Sequence, residues 1–234
     1  MELLVANLLH PDRNVDREHL DRLIIDPDRT AQRDITRARS PRVIRMQATF
    51  DPRYERVIYM VRDPRDVVLS QYRDLRGAGE ERTFEAFIGL FLAGQLGDRY
   101  LGSWGENVGS WLGARSGYPG FLLLRYEDLL ADPGFWLARA ANFAGWPSDA
   151  ETIAQAIKRA SSGMAASSGN WQSDLPEPFV ARLEAAWGHV MACAGYELVT
   201  RDRRAALDPS LLGLLIADTA ERHPIDSAIQ TAIR

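Results

Sequence analysis

The chain has 234 residues, 46% of them apolar and 26% charged, with the two signs mixed along its length and a net charge of −4. This suits one domain of ordinary to large size with its own core, or one domain plus an extension, and it excludes the clustered basic face of a nucleic-acid binder. The single cysteine, Cys193, rules out an internal disulfide, and its small apolar setting, MACAG, assigns it to the core.

The N-terminal stretch MELLVANLLHPDR has no basic leader and no small-residue cleavage site. It reads as an amphipathic helix rather than a signal peptide or membrane span, so the expectation is a soluble cytoplasmic protein with no membrane partner. Three short runs then read as strands: RVIRM at 42–46, RVIYMV at 56–61, and FLLLRY at 121–126 behind a Pro-Gly turn. Near-continuous apolar runs suit parallel strands covered on both faces. Between them the period is helical. A helix opens at Pro64, favoured at a first helical position. Phe84, Phe87, Ile88 and Phe91 form a stripe behind Thr83, a candidate N-cap. Trp104, Val108, Trp111 and Leu112 form another, which assigns the tryptophans, with Trp187, to the core. Residues 135–143 and 153–157 are helical in pattern. Residues 163–174 form a small-residue loop, and Phe179, Leu183, Ala186, Trp187, Val190 and Met191 mark a long last helix. A charged link, 201–209, leads to an apolar helix at 211–217. Strands alternating with helices predict an α/β fold of three layers, a mostly parallel sheet flanked by helices, over residues 1–200, with 201–234 as a linker and helical extension.

The segment YMVRDPRDVVLSQY at 59–72 is the richest in chemistry. Asp63 is placed as an N-cap, Pro64 opens the helix and Asp66 follows three residues after the cap, which is a capping pattern. Yet Arg62 ends a buried strand at its carboxyl side, where α/β sheets bind ligands, and Ser70 lies two helical turns on. An arginine fork and a hydroxyl could together hold a phosphate. Both readings remain open on the residues alone. The histidines, His10, His19, His189 and His223, have no ligand spacing, so no metal is expected, and His189 sits among apolar positions as a structural histidine. Lys158 is the only lysine, and no glycine precedes Gly77.

VIYMVRDPRDVVLSQY resembles the 3′-phosphate-binding segment of the sulfotransferases that use 3′-phosphoadenosine 5′-phosphosulfate. Two further segments agree in order: SWGENVGSWLGARSGYPGFLLLRYEDLLADP, and SGNWQSDLPEPFVARLEAAWGHVMACAGYEL, where Asn170 replaces a family aspartate. The resemblance runs from near Met1 to about Leu198. It implies a P-loop-NTPase-like core, that nucleotide as co-substrate, no metal, and a small-molecule or glycan acceptor. It places Arg62 and Ser70 on the 3′-phosphate and Tyr126 near the adenine.

The departures carry information too. The family's first strand and its phosphate loop, rich in glycine and carrying a lysine, have no counterpart in this sequence, so the core reads as N-terminally incomplete. In register, Gln47 holds the position of the family's general-base histidine and Arg45 that of its lysine. An amide has no basic lone pair, and general-base help is worth about 100- to 10,000-fold. Arg45 reads equally as a sulfate ligand or as a solvated strand-end arginine. Met164, Ala165 and Ala166 stand where the family carries a basic loop, at a cost on the order of 1.5–3 kcal/mol for each charge-assisted bond lost, unless Arg159 reaches across. The expectation is therefore sulfuryl transfer to a hydroxyl or amine with impaired activity. The alternatives are a non-catalytic nucleotide-binding or interaction protein of this family, or a fragment with a mis-called start. A small-molecule kinase is disfavoured, because no triphosphate loop or magnesium carboxylates are visible.

Overall fold

The computed structural model describes residues 1–27, 43–79, 81–96, 102–161 and 170–200. The predicted helix at 211–217 and the residues Met164, Ala165 and Ala166 lie outside them. The elements are α1 (Glu2–Leu9), α2 (Arg17–Leu23), β1 (Val57–Val61), α3 (Pro64–Gly77), α4 (Phe84–Leu92), α5 (Trp104–Arg115), β2 (Phe121–Arg125), α6 (Tyr126–Ala131), α7 (Pro133–Ala144), α8 (Ala150–Ala160), α9 (Trp171–Asp174) and α10 (Glu177–Cys193).

β1 and β2 pair in parallel, Val57 opposite Phe121 through Val61 opposite Arg125. The crossover between them holds α3, α4 and α5. Side chains of β2 divide between two cores. Phe121 and Leu123 pack against a cluster built from α3, α4, α5 and α10, while Leu124 lies in a cluster built from α1, α2, α6, α7 and α8. The strand alternation thus puts helices on both faces, and the architecture is the expected three-layer α/β with a parallel sheet.

Several local expectations are corrected. α1 is not amphipathic: every residue from Leu3 to Leu8 is buried, because α2 and α8 both pack on it. Its one polar member, Asn7, is fully satisfied in that setting. Its amide donates to the Leu3 and Val15 carbonyls at 2.9 Å each and accepts from the Val15 N–H at 3.0 Å. The described part of the run at 42–46, residues 43–46, forms no extended strand. Ile44 makes a single parallel bridge with Ile25. Beyond it the backbone bonds to side chains of α5 instead of to a neighbouring strand: the Gln47 carbonyl to Asn107, the Ala48 carbonyl to Trp111 and the Phe50 N–H to Ser110. Tyr126 opens α6 rather than closing β2. The end of the predicted loop at 163–174 coils into α9, capped by Asn170. Cys193 is exposed near the C-terminal end of α10, not in the core, and Ala186 is exposed as well. His189 is buried, as expected.

The caps at α4 and α3 hold, with a difference at α3. Thr83 accepts the Ala86 N–H, and Asp63 accepts the Arg65 N–H. Asp66 does not close a capping box, because the Asp63 N–H donates to Glu127 at 2.9 Å. α5 does have a full capping box, Ser103 with Glu106. Gly105, in the first turn of α5, lets that helix meet α10: a Cβ there would lie 2.3 Å from the Trp187 ring. We expect Gly105→Ala to destabilise the domain by about 1–3 kcal/mol through overpacking, read from urea unfolding. An unchanged midpoint would mean that α5 and α10 part without cost.

Candidate functional site

β1 delivers its last residue, Val61, into the core and Arg62 to its carboxyl end, just before α3 begins. The Arg62 carbonyl accepts the Trp104 indole N–H at 3.0 Å, which fixes the backbone at the turn. The guanidinium lies 5.0 Å from the centre of the Tyr126 ring, so the ends of the two strands bring together two residues that the sequence singled out. Ser70 is half-buried in the second turn of α3.

α3 offers two faces here. Val67 and Gln71, one turn apart, line a cleft of about 360 Å³ together with Tyr59, Arg62, Trp104 and Gln47. Asp66, Ser70 and Arg73 follow the adjacent stripe. On that stripe Asp66 accepts the Trp171 backbone N–H at 2.9 Å and Arg73 pairs with Asp174 at 2.6 Å. The second face is therefore covered by α9, with Ser70 between the two contacts.

Gln47 reaches the cleft because Asn107 holds it. The Asn107 amide donates to the Gln47 carbonyl at 2.7 Å and accepts the Tyr59 hydroxyl at 2.7 Å. A carbonyl can only accept, so the amide orientation is fixed, and Tyr59 must then be the donor. Burial pushes the Tyr59 phenol well above its ordinary value, which keeps that proton in place. Among the described residues lining the cleft, Arg62 and Tyr59 are the ionisable ones; there is no carboxylate, histidine or lysine. Among the described residues no group of three or more His, Cys, Asp or Glu could hold a metal.

Arg45 is not in this cleft. Its partly exposed guanidinium pairs with Glu2 at 3.0 Å and with Asp26. Arg159 donates to the carbonyls of Pro11 and Arg13. Trp111 and Trp187 are buried as expected, while Trp104 is half-buried and lines the cleft.

The residues that sequence reasoning missed are those that hold the site in place. Arg65 is 2% exposed. It forms a fork on the Asp63 carboxylate at 2.7–3.2 Å, reaches Glu184 at 2.9 Å, and carries the Trp171 ring 3.8 Å from its guanidinium carbon. Glu184 also accepts the backbone N–H groups of Val199 and Thr200. Glu127 bridges the Asp63 N–H and the Tyr196 hydroxyl. The signals were present in the sequence: a second arginine within RDPRD, an acid directly after the β2 strand, and an asparagine inside the Trp104–Trp111 apolar stripe. Burial raises the Asp66 carboxyl, and the Asp63 and Glu127 charges raise it further, while the Trp171 N–H and the Arg62 charge oppose the rise.

A sequence profile of the sulfotransferase domain family matches residues 17–177. The chain belongs to that family. It is 34% identical to human sulfotransferase 2B1 over 105 residues, 44% of this chain and 28% of that protein. It is 33% identical to the 3-beta-hydroxysteroid sulfotransferase of Cavia porcellus over 109 residues, 45% of this chain and 37% of that protein. These matches span about a third of the relatives' length. The fold agrees with a mouse sulfotransferase, SULT7A1, solved in complex with PAP, at a TM-score of 0.57 and 17% identity over 82% of this chain and 74% of that one. It also agrees with a retinol dehydratase in complex with retinol and PAP, at a TM-score of 0.59 and 16% identity over 85% and 79% of the two chains. No helix among the described residues is long and apolar enough to cross a membrane.

The ion pairs give a test in acid. Burial alone would raise Glu184, but the bonds from Thr200 and Val199 and the Arg65 charge draw it below its ordinary value of 4.5. A carboxylate lowered in the folded state stabilises above the unfolded value and loses that contribution as pH falls through the folded one. The stability advantage of the wild type over Glu184→Gln should therefore be full at neutral pH and shrink below 4.5, in urea titrations run from neutral to acid. A difference that does not change with pH would contradict it.

Proposed function

We propose that this domain binds 3′-phosphoadenosine 5′-phosphosulfate and its product nucleotide, and that its transfer of the sulfuryl group to a hydroxyl or amine acceptor is impaired. Arg62 and Ser70 would hold the 3′-phosphate and Tyr126 would lie beside the adenine. The observation that carries this reading is the placement of Arg62 at the carboxyl ends of two parallel strands, over the Tyr126 ring and at the start of α3. The donor set suits the ligand: an arginine fork just before α3 and a hydroxyl in its second turn, both donors. Family membership and PAP in the two solved neighbours support the same choice of nucleotide.

The nucleotide would bring the sulfuryl group; the chain's own part is to bind, orient and handle the acceptor's proton. Among the described residues, Arg62, Ser70 and the cleft walls would bind and orient, and no lining group would remove the proton. The Gln47 amide is no base, and the Tyr59 phenol already donates to Asn107 and is pushed further from ionisation by burial. Transfer then relies on positioning and charge neutralisation. A second reading, a non-catalytic member that keeps only the nucleotide site, is favoured by Gln47 and by the capture of Arg45 by Glu2 and Asp26.

Isothermal titration with 3′-phosphoadenosine 5′-phosphate tests the site. Micromolar binding that is lost in Arg62→Ala is expected, and the absence of heat at millimolar nucleotide would overturn the reading. Gln47→His separates the two functional readings. If only the base is missing, transfer should rise by about 100-fold or more in an acceptor screen; no turnover in either protein, with nucleotide binding intact, selects the non-catalytic member.

A further inference from the structure

We propose that Arg65 is a positioning residue for the Ser70 side of the anion site, acting through Trp171, and that it sets the preference for nucleotides bearing a 3′-phosphate. This rests on the nucleotide reading above. Arg65 faces away from the cleft and is enclosed by protein: Asp63 and Glu184 satisfy its fork and the Trp171 ring lies against its guanidinium. A planar, delocalised cation can accept a carboxylate at its edge and an aromatic ring on its face together. Trp171 is the first residue of α9, and its N–H is held by Asp66 one turn before Ser70. Arg73, close to one turn after Ser70, holds the other end of α9 through Asp174. The wall beside Ser70 is thus located at three points, of which Arg65 is the buried one. The same guanidinium grips Asp63, the neighbour of Arg62 in sequence. One side chain therefore sets the relative placement of the two donors assigned to the 3′-phosphate without touching the phosphate.

The test compares two nucleotides and four proteins by titration calorimetry. The ligands are 3′-phosphoadenosine 5′-phosphate and adenosine 5′-monophosphate. The proteins are the wild type, Arg65→Lys, Trp171→Ala and Thr200→Val. Arg65→Lys keeps the charge but loses the fork and the flat face. Thr200→Val removes the hydroxyl bond to Glu184 and serves as a control for general loss of stability, monitored in urea. Arg65→Lys and Trp171→Ala should each raise the Kd of the bisphosphate about tenfold, the size typical of removing a group that orients a binding residue, and leave the Kd of the monophosphate within about twofold. Thr200→Val should change neither ratio. If both variants keep the wild-type ratio, or weaken both nucleotides equally, the positioning role is overturned while the nucleotide reading stands. If the wild type binds neither nucleotide, the nucleotide reading fails and this inference with it. Should Arg65→Lys not fold, Trp171→Ala alone decides.

Discussion

The guanidinium of Arg65 is the point on which the described structure turns. A cation enclosed by protein with two carboxylates leaves that cluster one negative charge in excess, and burying charge is costly unless each ion is paired and bonded. The excess is met by local dipoles: Asp63 sits at the start of α3, where the helix end favours an anion, and Glu184 takes backbone N–H groups from Val199 and Thr200. Removing one member would strand the others, at about 3–5 kcal/mol for a buried pair. The network joins the turn after β1, the α10 helix, the chain beyond it and α9. It ties the site's geometry to the stability of the core.

Much of the fold was legible because the sequence carries its information locally. β1 and β2 are short apolar runs, and α3, α4 and α10 announce themselves by period and by Asp63, Thr83 and the Trp187 stripe. What escaped was decided by partners distant in sequence. The run at 42–46 reads as a strand, yet the chain just beyond it takes its hydrogen-bond partners from Asn107, Ser110 and Trp111, some 60 positions on, which no local pattern could reveal. α1 looked amphipathic because Asn7 is polar; only the turn at Val15 shows that this polarity is spent inside. The reciprocal cap at Asp63 comes from Glu127, on a different element.

The site was legible in the same uneven way. Arg62, Ser70 and Tyr126 were singled out from spacing and resemblance, and the structure brings the first and last of them together. The partners of Arg45, Glu2 and Asp26, belong to two other segments and were not legible from its own. Arg65, Glu127 and Asn107 were overlooked because their work is done on other protein groups. A capping box and an anion site had looked like rival explanations of RDPRD. The structure divides the labour instead: Asp63 caps α3 and binds Arg65, Asp66 holds α9, and Arg62 is left facing Tyr126 and the cleft.

The way residue 47 is held has a consequence for how such a domain changes over time. Asn107, Trp111 and Ser110 grip the main chain of 47–50, and Gln47 is exposed. Folding therefore makes no demand on the identity of the side chain at that position. A substitution there leaves the architecture untouched, whereas any drift at Arg65 or Glu184 is penalised by stability itself. Selection for a folded protein alone would preserve the Arg65 cluster while leaving the side chain at position 47 free to change.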